Sequence, residues 1–195
     1  MAYPVSLDLD ADDHIARWRP LVHWLLVIPH AALAYVFSNV GSLIAFLSWF
    51  AIVFTGRLPS GLADVQCLVL RYSARAYGYA LWLHEDYPPF EFQTTHDDPG
   101  GDPVRVDVHP ALDDRNRLTV GLRILWIIPA AFVAMFVYLA ASVVVFVSFF
   151  AVLFTGRYPA GMRDFVVGAL RFGTRVSAYA YLLTDEYPPL TTSPA

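Results

Sequence analysis

The sequence contains no lysine and only one cysteine, and charged residues make up just 15% of its 195 residues. The single cysteine, Cys67, excludes an intrachain disulfide and a cysteine-based metal cluster. Soluble domains usually carry about 25% charged residues, and nucleic-acid binding calls for a basic surface. With a net charge of −4 and 57% hydrophobic residues, the composition argues against a nucleic-acid partner and favours a membrane protein.

Two long stretches, residues 20–56 and 124–156, contain no Asp, Glu, Lys or Arg. A spanning helix needs about 20 apolar residues, whereas one helix of this length would reach roughly 50–55 Å across a hydrocarbon core of about 30 Å. Each stretch is therefore predicted to be a hairpin with two crossings. Ser38, Asn39 and Gly41 supply a turn in the first stretch. Residues 139–142 supply a weaker turn in the second, where one long helix kinked at Pro129 is the alternative.

The arginines flank both apolar stretches and are absent from the predicted turns. With two hairpins, every arginine lies on one side of the membrane, which the positive-inside rule makes cytoplasmic. One crossing per stretch would instead leave basic residues on both sides. We therefore predict a multi-pass protein with four crossings, cytoplasmic termini and a parallel arrangement of its two halves.

The chain is a tandem repeat. Residues 50–90 align with 150–190 at an offset of 100, with 18 of 41 positions identical. The predicted boundaries are repeat 1 over 1–93, a flexible linker over 94–103 and repeat 2 over 104–195. Each repeat has a short strand, a hairpin (about 18–56 and 118–156) and a third helix (about 60–84 and 160–184). The strands are indicated by period-two alternation, for example at Val104, Val106 and Val108, and residues 90–92 are a further candidate strand.

The third helix of each repeat carries a charged stripe. Asp64, Arg71 and Arg75 lie within roughly 40° of one another around the helix, and the second repeat has the same stripe one hundred residues later. Two arginines in a spanning helix would cost about 5–7 kcal/mol on insertion. We therefore predict an amphipathic helix at the cytoplasmic interface, with burial of the stripe inside a bundle as the alternative. The predicted fold class is an all-α membrane protein with short polar β-strands at its surface.

The recurring motifs F-T-G-R-[LY]-P-x-G, L-R-[YF] and Y-P-P occur at residues 54–61, 70–72 and 87–89 and again in the second half. Together with the segment 24–30, they resemble a bacterial, largely actinobacterial, family catalogued only as domain of unknown function 4389. The resemblance covers nearly the whole chain as two copies. It implies an integral protein of the bacterial plasma (inner) membrane without an established activity, and it supplies no catalytic residues.

Eight charged residues are the candidate site. They are interpreted either as topogenic charges and ion pairs between the repeats, with Asp64 or Asp164 meeting an arginine of the other repeat, or as sites for anionic lipid phosphates. The set consists of Arg57, Asp64, Arg71, Arg75, Arg157, Asp164, Arg171 and Arg175.

The sequence shows no recognisable metal, cofactor or nucleophile–base motif. His23 and His30 share a helix face, but their counterparts are Arg123 and Ala130, so packing histidines are favoured over ligands to haem or a metal. We therefore expect a non-catalytic accessory, assembly or scaffold subunit of a membrane complex in the cell envelope. Its expected partners are other membrane subunits and membrane lipids. The alternative is a component of a lipid or small-solute transporter or channel that binds anionic headgroups.

Overall fold

A computed structural model describes residues 3–193. Within these residues the chain forms six helices and one two-stranded sheet; the predicted cytoplasmic location of the termini concerns end residues outside this range. In chain order the elements are β1 (Val5–Leu9), α1 (Arg19–Leu26), α2 (Ile28–Thr55), α3 (Ser60–Ala80), β2 (Val104–Val108), α4 (Arg117–Gly121), α5 (Arg123–Thr155) and α6 (Ala160–Ala180).

The predicted hairpins over 18–56 and 118–156 are wrong, because one helix, α2 in the first stretch and α5 in the second, continues through each predicted turn. The polar side chains at these turns hydrogen-bond within the helix: Asn39 donates to the Tyr35 carbonyl, and Ser142 donates to the Leu139 carbonyl. Such local bonds satisfy a polar group without breaking the helix. The single long helix that was the alternative for the second stretch is what forms there, with Pro129 inside α5.

Both long helices end at a glycine in the left-handed region, Gly56 (φ +75°) and Gly156 (φ +72°). Glycine adopts this conformation without the steric strain of a Cβ, so it is a common helix terminator. A proline three residues later, Pro59 or Pro159, precedes the next helix. The F-T-G-R-x-P motif therefore forms the turn that connects each long helix to the next helix and reverses the chain direction.

Helices α3 and α6 form the centre of the molecule, since 13 of the 21 residues in each are buried. On one side α3 packs against α2 and α6 against α5, and on the other side β1, β2 and the linker cover them. The prediction of an amphipathic helix lying at the cytoplasmic interface is therefore wrong. The alternative, burial of the charged stripe, holds for its arginines, whereas Asp64 is half-buried and Asp164 is exposed. The strands β1 and β2 and the linker shield these arginines from solvent.

The two repeats are joined through the sheet. β1 pairs with β2 in antiparallel register, with Val5 opposite Val108 and Leu9 opposite Val104. The predicted alternation is confirmed, because Val104, Val106 and Val108 are all buried. Residues 90–92 form no strand; instead Phe90 stacks on the His30 ring at 4.4 Å.

The two long helices run antiparallel, which corrects the predicted parallel arrangement. The Ile15 amide, just before α1, donates to the Gly156 carbonyl at the end of α5 (3.1 Å). At the opposite end of the molecule, the Arg115 amide before α4 donates to the Gly56 carbonyl at the end of α2 (3.0 Å). Since α1 leads into α2 and α4 into α5, each long helix begins beside the end of the other.

Candidate functional site

Arg71 and Arg75 lie one turn apart on α3 and are each only 3% exposed. The Arg75 guanidinium donates to the carboxylates of Glu91 (2.7 Å) and Asp98 (2.6 Å) and to the Gly100 carbonyl (3.0 Å). Asp98 is itself buried, with a side chain 4% exposed. Arg75 is thus neutralised by two carboxylates of the segment that follows the Y-P-P motif.

The Arg71 side chain binds main-chain carbonyls of the same segment. Its guanidinium donates to the carbonyls of Thr95 (2.7 Å) and Asp97 (3.1 Å), and Asp98 lies 3.6 Å away. Burial lowers the pKa of Arg71, while Asp98 opposes that shift. The predicted flexible linker over 94–103 is therefore held down across α3 by two arginines, and residues 91–104 form a cover over repeat 1.

The second repeat lacks the corresponding carboxylates. Arg171 donates to the Leu7 carbonyl (2.9 Å) and lies 3.6 Å from Asp8, whose side chain is 71% exposed. Arg175 is 1% exposed and donates to the Thr191 carbonyl (3.4 Å), but within residues 3–193 its Nε and Nη2 have no hydrogen-bond partner. Thr191 stands where repeat 1 has Glu91. The same arginine pair is therefore neutralised in repeat 1 and only weakly compensated in repeat 2.

The remaining predicted residues do not join these pairs. Asp64 lies 2.6 Å from His96, and Arg57 lies 3.1 Å from Asp113 at the exposed end of α2. Asp164 is exposed at the start of α6. Within the described part of the chain, neither aspartate pairs with an arginine of the other repeat.

The arginine Arg157 follows α5 and is exposed. It forms a main-chain bridge with His14, which belongs to the other repeat. Among the described residues, the repeats are linked ionically by other pairs, namely Arg57 with Asp113, Arg105 with Asp10 and Arg171 with Asp8.

An ion-pair cluster around Asp185 was not predicted. Arg115 donates to both Asp185 oxygens at 2.8 Å, and Arg123 approaches one of them at 2.5 Å. Burial opposes ionisation of Asp185, but the two arginines outweigh it and hold its pKa below the usual range. The sequence signal for this cluster was the acidic residue that stands two positions before Y-P-P in both repeats. Its counterpart in repeat 1, Glu85, also pairs with an arginine, since it lies 3.8 Å from Arg19.

The two histidines of the first apolar stretch are buried and hydrogen-bonded to α3. His23 Nδ1 lies 3.0 Å from the Tyr79 carbonyl, and His30 Nδ1 lies 2.8 Å from the Tyr72 hydroxyl. Among the described residues, no three or more His, Cys, Asp or Glu side chains are grouped as a metal site would require. Cys67 is buried, and burial raises the pKa of its thiol to about 12.

A groove of about 550 Å³ lies between α2 and α5, floored by α3 and α6. Its fourteen lining residues include four serines and three tyrosines, among them Ser38, Tyr138, Ser142 and Tyr181. Ligand pockets typically measure about 300–1,000 Å³ and combine apolar walls with a few polar groups. Three of these polar residues, Ser38, Tyr138 and Ser142, lie in the charge-free stretches, and this was the partial sequence signal for the groove.

The fold and these sites define an internally duplicated helical protein with a buried charged layer on one side and two apolar helices on the other. The chain belongs to the family described as Domain of unknown function (DUF4389), whose model matches residues 17–91 and again residues 117–191. This confirms both the tandem repeat and the resemblance seen in the motifs. No curated protein and no solved structure is significantly similar to the chain.

Proposed function

We propose that this chain is a membrane protein with a non-catalytic scaffold or assembly role. The observation that carries the membrane part is the exposure of α2 and α5. Both are long and apolar enough to span a bilayer, and only 17% of the most apolar stretch of each is buried. A core helix of a soluble protein would be mostly buried, whereas large exposed apolar surfaces mark contacts with membranes or partners.

The proposed scaffold role is supported by the burial and bonding of the arginine side chains. Arg71, Arg75, Arg115 and Arg123 are buried and bonded to other parts of the chain, which suits a structural role. Arg57 and Arg157 are exposed at the ends of the long helices. These two are the arginines of the candidate set best placed to meet anionic headgroups, and each contributes about 1 kcal/mol near such a surface.

Membrane binding is tested by flotation with vesicles of phosphatidylethanolamine and phosphatidylglycerol. Leu43→Glu on α2 places a charge at a position that is 61% exposed and should lower vesicle partitioning about tenfold or more, given the insertion penalty of a charged side chain. Gln93→Glu introduces the same residue at an exposed position of the cover and should leave partitioning unchanged. Equal flotation of both variants would contradict a lipid-facing α2.

The scaffold role is tested by purifying the tagged chain in mild detergent and identifying stoichiometric protein partners. Recovery of one such partner supports the role. Recovery of bound lipid alone would favour the second candidate.

The second candidate, a component of a lipid or solute transporter, is favoured by the groove between α2 and α5. In this role the groove hydroxyls would hydrogen-bond the polar headgroup of a lipid, and the apolar walls would contact its acyl chain. Ser142→Trp would fill this groove and should reduce co-purified lipid severalfold. Leu139→Trp, on the exposed side of α5 at 61% exposure, is the matched control and should not.

A further inference from the structure

We propose that the chain binds the bilayer by lying in one leaflet, with α2 and α5 parallel to the membrane plane, rather than by crossing it. This rests on the proposed membrane association and specifies its geometry. The binding surface consists of the exposed faces of α2 and α5, and its partner is the hydrocarbon and headgroup region of a single leaflet.

The apolar surface extends along the full length of both helices. In α2 it runs from Ile28 (51% exposed) to Phe54 (72%), and in α5 from Ile124 (75%) to Phe154 (71%). At 1.5 Å per residue these helices are about 42 and 50 Å long, whereas the hydrocarbon core is about 30 Å thick. An upright α5 would therefore leave a long apolar end in water, and an α5 lying flat would not.

The polar layer runs beside the same helices rather than beyond their ends. Arg71 is near the middle of α3, which lies antiparallel along α2. The cover over Arg71 places the exposed Asp97 beside that midpoint. In repeat 2 the exposed Asp8 lies 3.6 Å from Arg171, at the middle of α6. A slab of hydrocarbon perpendicular to α2 would have to include both aspartates, at a large desolvation penalty.

The arginines also fail to select an upright orientation. Arg17 lies against Gly156 at one end of the helix pair, and Arg117 lies against Gly56 at the other. Crossing would thus place basic residues on both sides of the membrane, and the positive-inside rule would favour neither direction. When the helices lie flat, both ends sit at the same depth, where arginines can meet anionic headgroups.

A leaflet fits the exposed faces better than a second copy of the chain. Three tryptophans, Trp18, Trp24 and Trp126, are 53%, 64% and 51% exposed at the beginnings of the helical stretches. Tryptophan is enriched at the membrane–water interface. In each long helix the buried residues form a narrow seam, so most of the helix surface is exposed and apolar, and a large exposed apolar surface of this kind marks contact with a membrane or a partner.

Depth measurements on the full-length chain test this geometry. Single nitroxide labels are placed on one face of α2, at positions 36, 43 and 50, and of α5, at positions 132, 139 and 146, and collision with oxygen and a nickel chelate is measured in phosphatidylethanolamine–phosphatidylglycerol vesicles. Lying flat predicts that the three depths in each helix agree within a few Å. Crossing predicts that neighbouring labels, seven residues apart, differ in depth by about 10 Å, with the deepest label near the bilayer midplane, and this result would overturn the proposal.

Sidedness provides a second, independent measurement. Cysteines replacing Asp13, Asp97 or Asp113 are treated with a membrane-impermeant maleimide in spheroplasts and in inverted membrane vesicles. All three positions should react from the same single side. Labelling of 13 and 113 from opposite sides, or of either from both sides, would overturn the proposal. The unmodified chain is the control, because Cys67 is fully buried.

These outcomes separate the geometry from membrane association itself. If the chain floats with vesicles but the depths change along each helix, the proposed membrane function stands and the flat orientation is wrong. If the chain does not float, the membrane function is wrong. A third outcome would be low collision with both oxygen and the nickel chelate at all six labels, together with a doubled mass in detergent-free solution. That result would show that a second copy of the chain covers the apolar faces, and it would overturn the proposal of binding to a leaflet.

Discussion

The two arginine pairs occupy the same positions in the two repeats but differ in their counter-charges. Arg75 has Glu91 and Asp98 within 2.7 Å, whereas no described carboxylate lies within 4 Å of Arg175. Removing one partner of a buried ion pair leaves the other charge unpaired and typically costs about 3–5 kcal/mol. Removing a guanidinium that has no carboxylate partner leaves no unpaired buried charge behind.

We therefore expect Arg75→Met to lower the free energy of unfolding by about 3–5 kcal/mol. Arg175→Met, the matched substitution in repeat 2, should change it by less than about 1 kcal/mol or stabilise the protein, because a buried charge is removed without abandoning a carboxylate. Guanidinium unfolding in detergent measures both. Equal destabilisation would show that the two pairs are energetically equivalent despite their different surroundings.

A second pair of buried groups should make stability depend on pH. Burial lowers the pKa of His84 to about 4, and burial raises the pKa of Asp102 to about 6. The histidine therefore contributes stability that is lost as the pH falls from its ordinary pKa of 6.5 to about 4. The aspartate contributes stability that is lost as the pH rises from its ordinary 3.8 to about 6. In the wild type the two effects largely offset each other.

Single substitutions should separate these opposing effects. Relative to wild type, Asp102→Asn should gain stability as the pH rises from 4 to 6, on the order of 2–3 kcal/mol. His84→Gln should show the opposite trend over the same range. The measurement is the unfolding free energy at several pH values. Parallel curves for all three proteins would mean that neither group changes protonation on unfolding.

At the scale of the elements, the packing of α5 on α6 depends on the absence of a side chain at Gly173. A Cβ built there would lie 1.5 Å from the Tyr138 hydroxyl oxygen. By contrast, a Cβ at Gly161, near the start of the same helix, would meet no atom within 4 Å. The two glycines therefore have different roles in one helix.

Gly173→Ala should destabilise the fold by about 1–3 kcal/mol, as overpacking usually does. Gly161→Ala is the control and should stabilise it by up to about 1 kcal/mol, because alanine is the better helix former. Thermal unfolding compares them. Adding Tyr138→Leu should relieve the Gly173→Ala defect, and failure to do so would place the cause elsewhere.

At the scale of the whole molecule, the two repeats complete each other. β1 of repeat 1 pairs with β2, which opens repeat 2, and Arg171 of α6 donates to the Leu7 carbonyl of β1. The sheet and the central helices α3 and α6 are thus shared. Neither repeat has a complete core alone.

We therefore expect fragments 1–100 and 101–195 to be soluble in detergent only when expressed together, and then to co-purify as one complex. The break lies between Gly100 and Gly101, where an added Cβ would meet no atom within 4 Å, and it keeps Glu91 and Asp98, the carboxylate partners of Arg75, with repeat 1. Size-exclusion chromatography and circular dichroism measure the outcome. A folded fragment 1–100 on its own would contradict shared folding.

Much of the local structure could be predicted from the sequence because its signals are local. The alternation of valines around Val106 predicted β2, and the offset of 100 predicted the duplication. Gly56 and Pro59, recurring at 156 and 159, lie where the long helices end and the next ones begin. Such features depend on side chains within a few positions, so periodicity and turn chemistry suffice to indicate them.

What only the tertiary structure decided is how distant segments complete one another. Residues 38–41 continue as helix, and there Gly41 packs so closely on α3 that an added Cβ would lie 3.0 Å from Val69. Whether Arg75 faces lipid, water or protein depends on Asp98, which lies 23 positions away and balances its charge in the interior. The amino-acid sequence by itself determined the duplication and where the long helices end, because those signals are local. Long-range packing and charge compensation decided that each long helix continues through its predicted turn, in which direction it runs and what covers it.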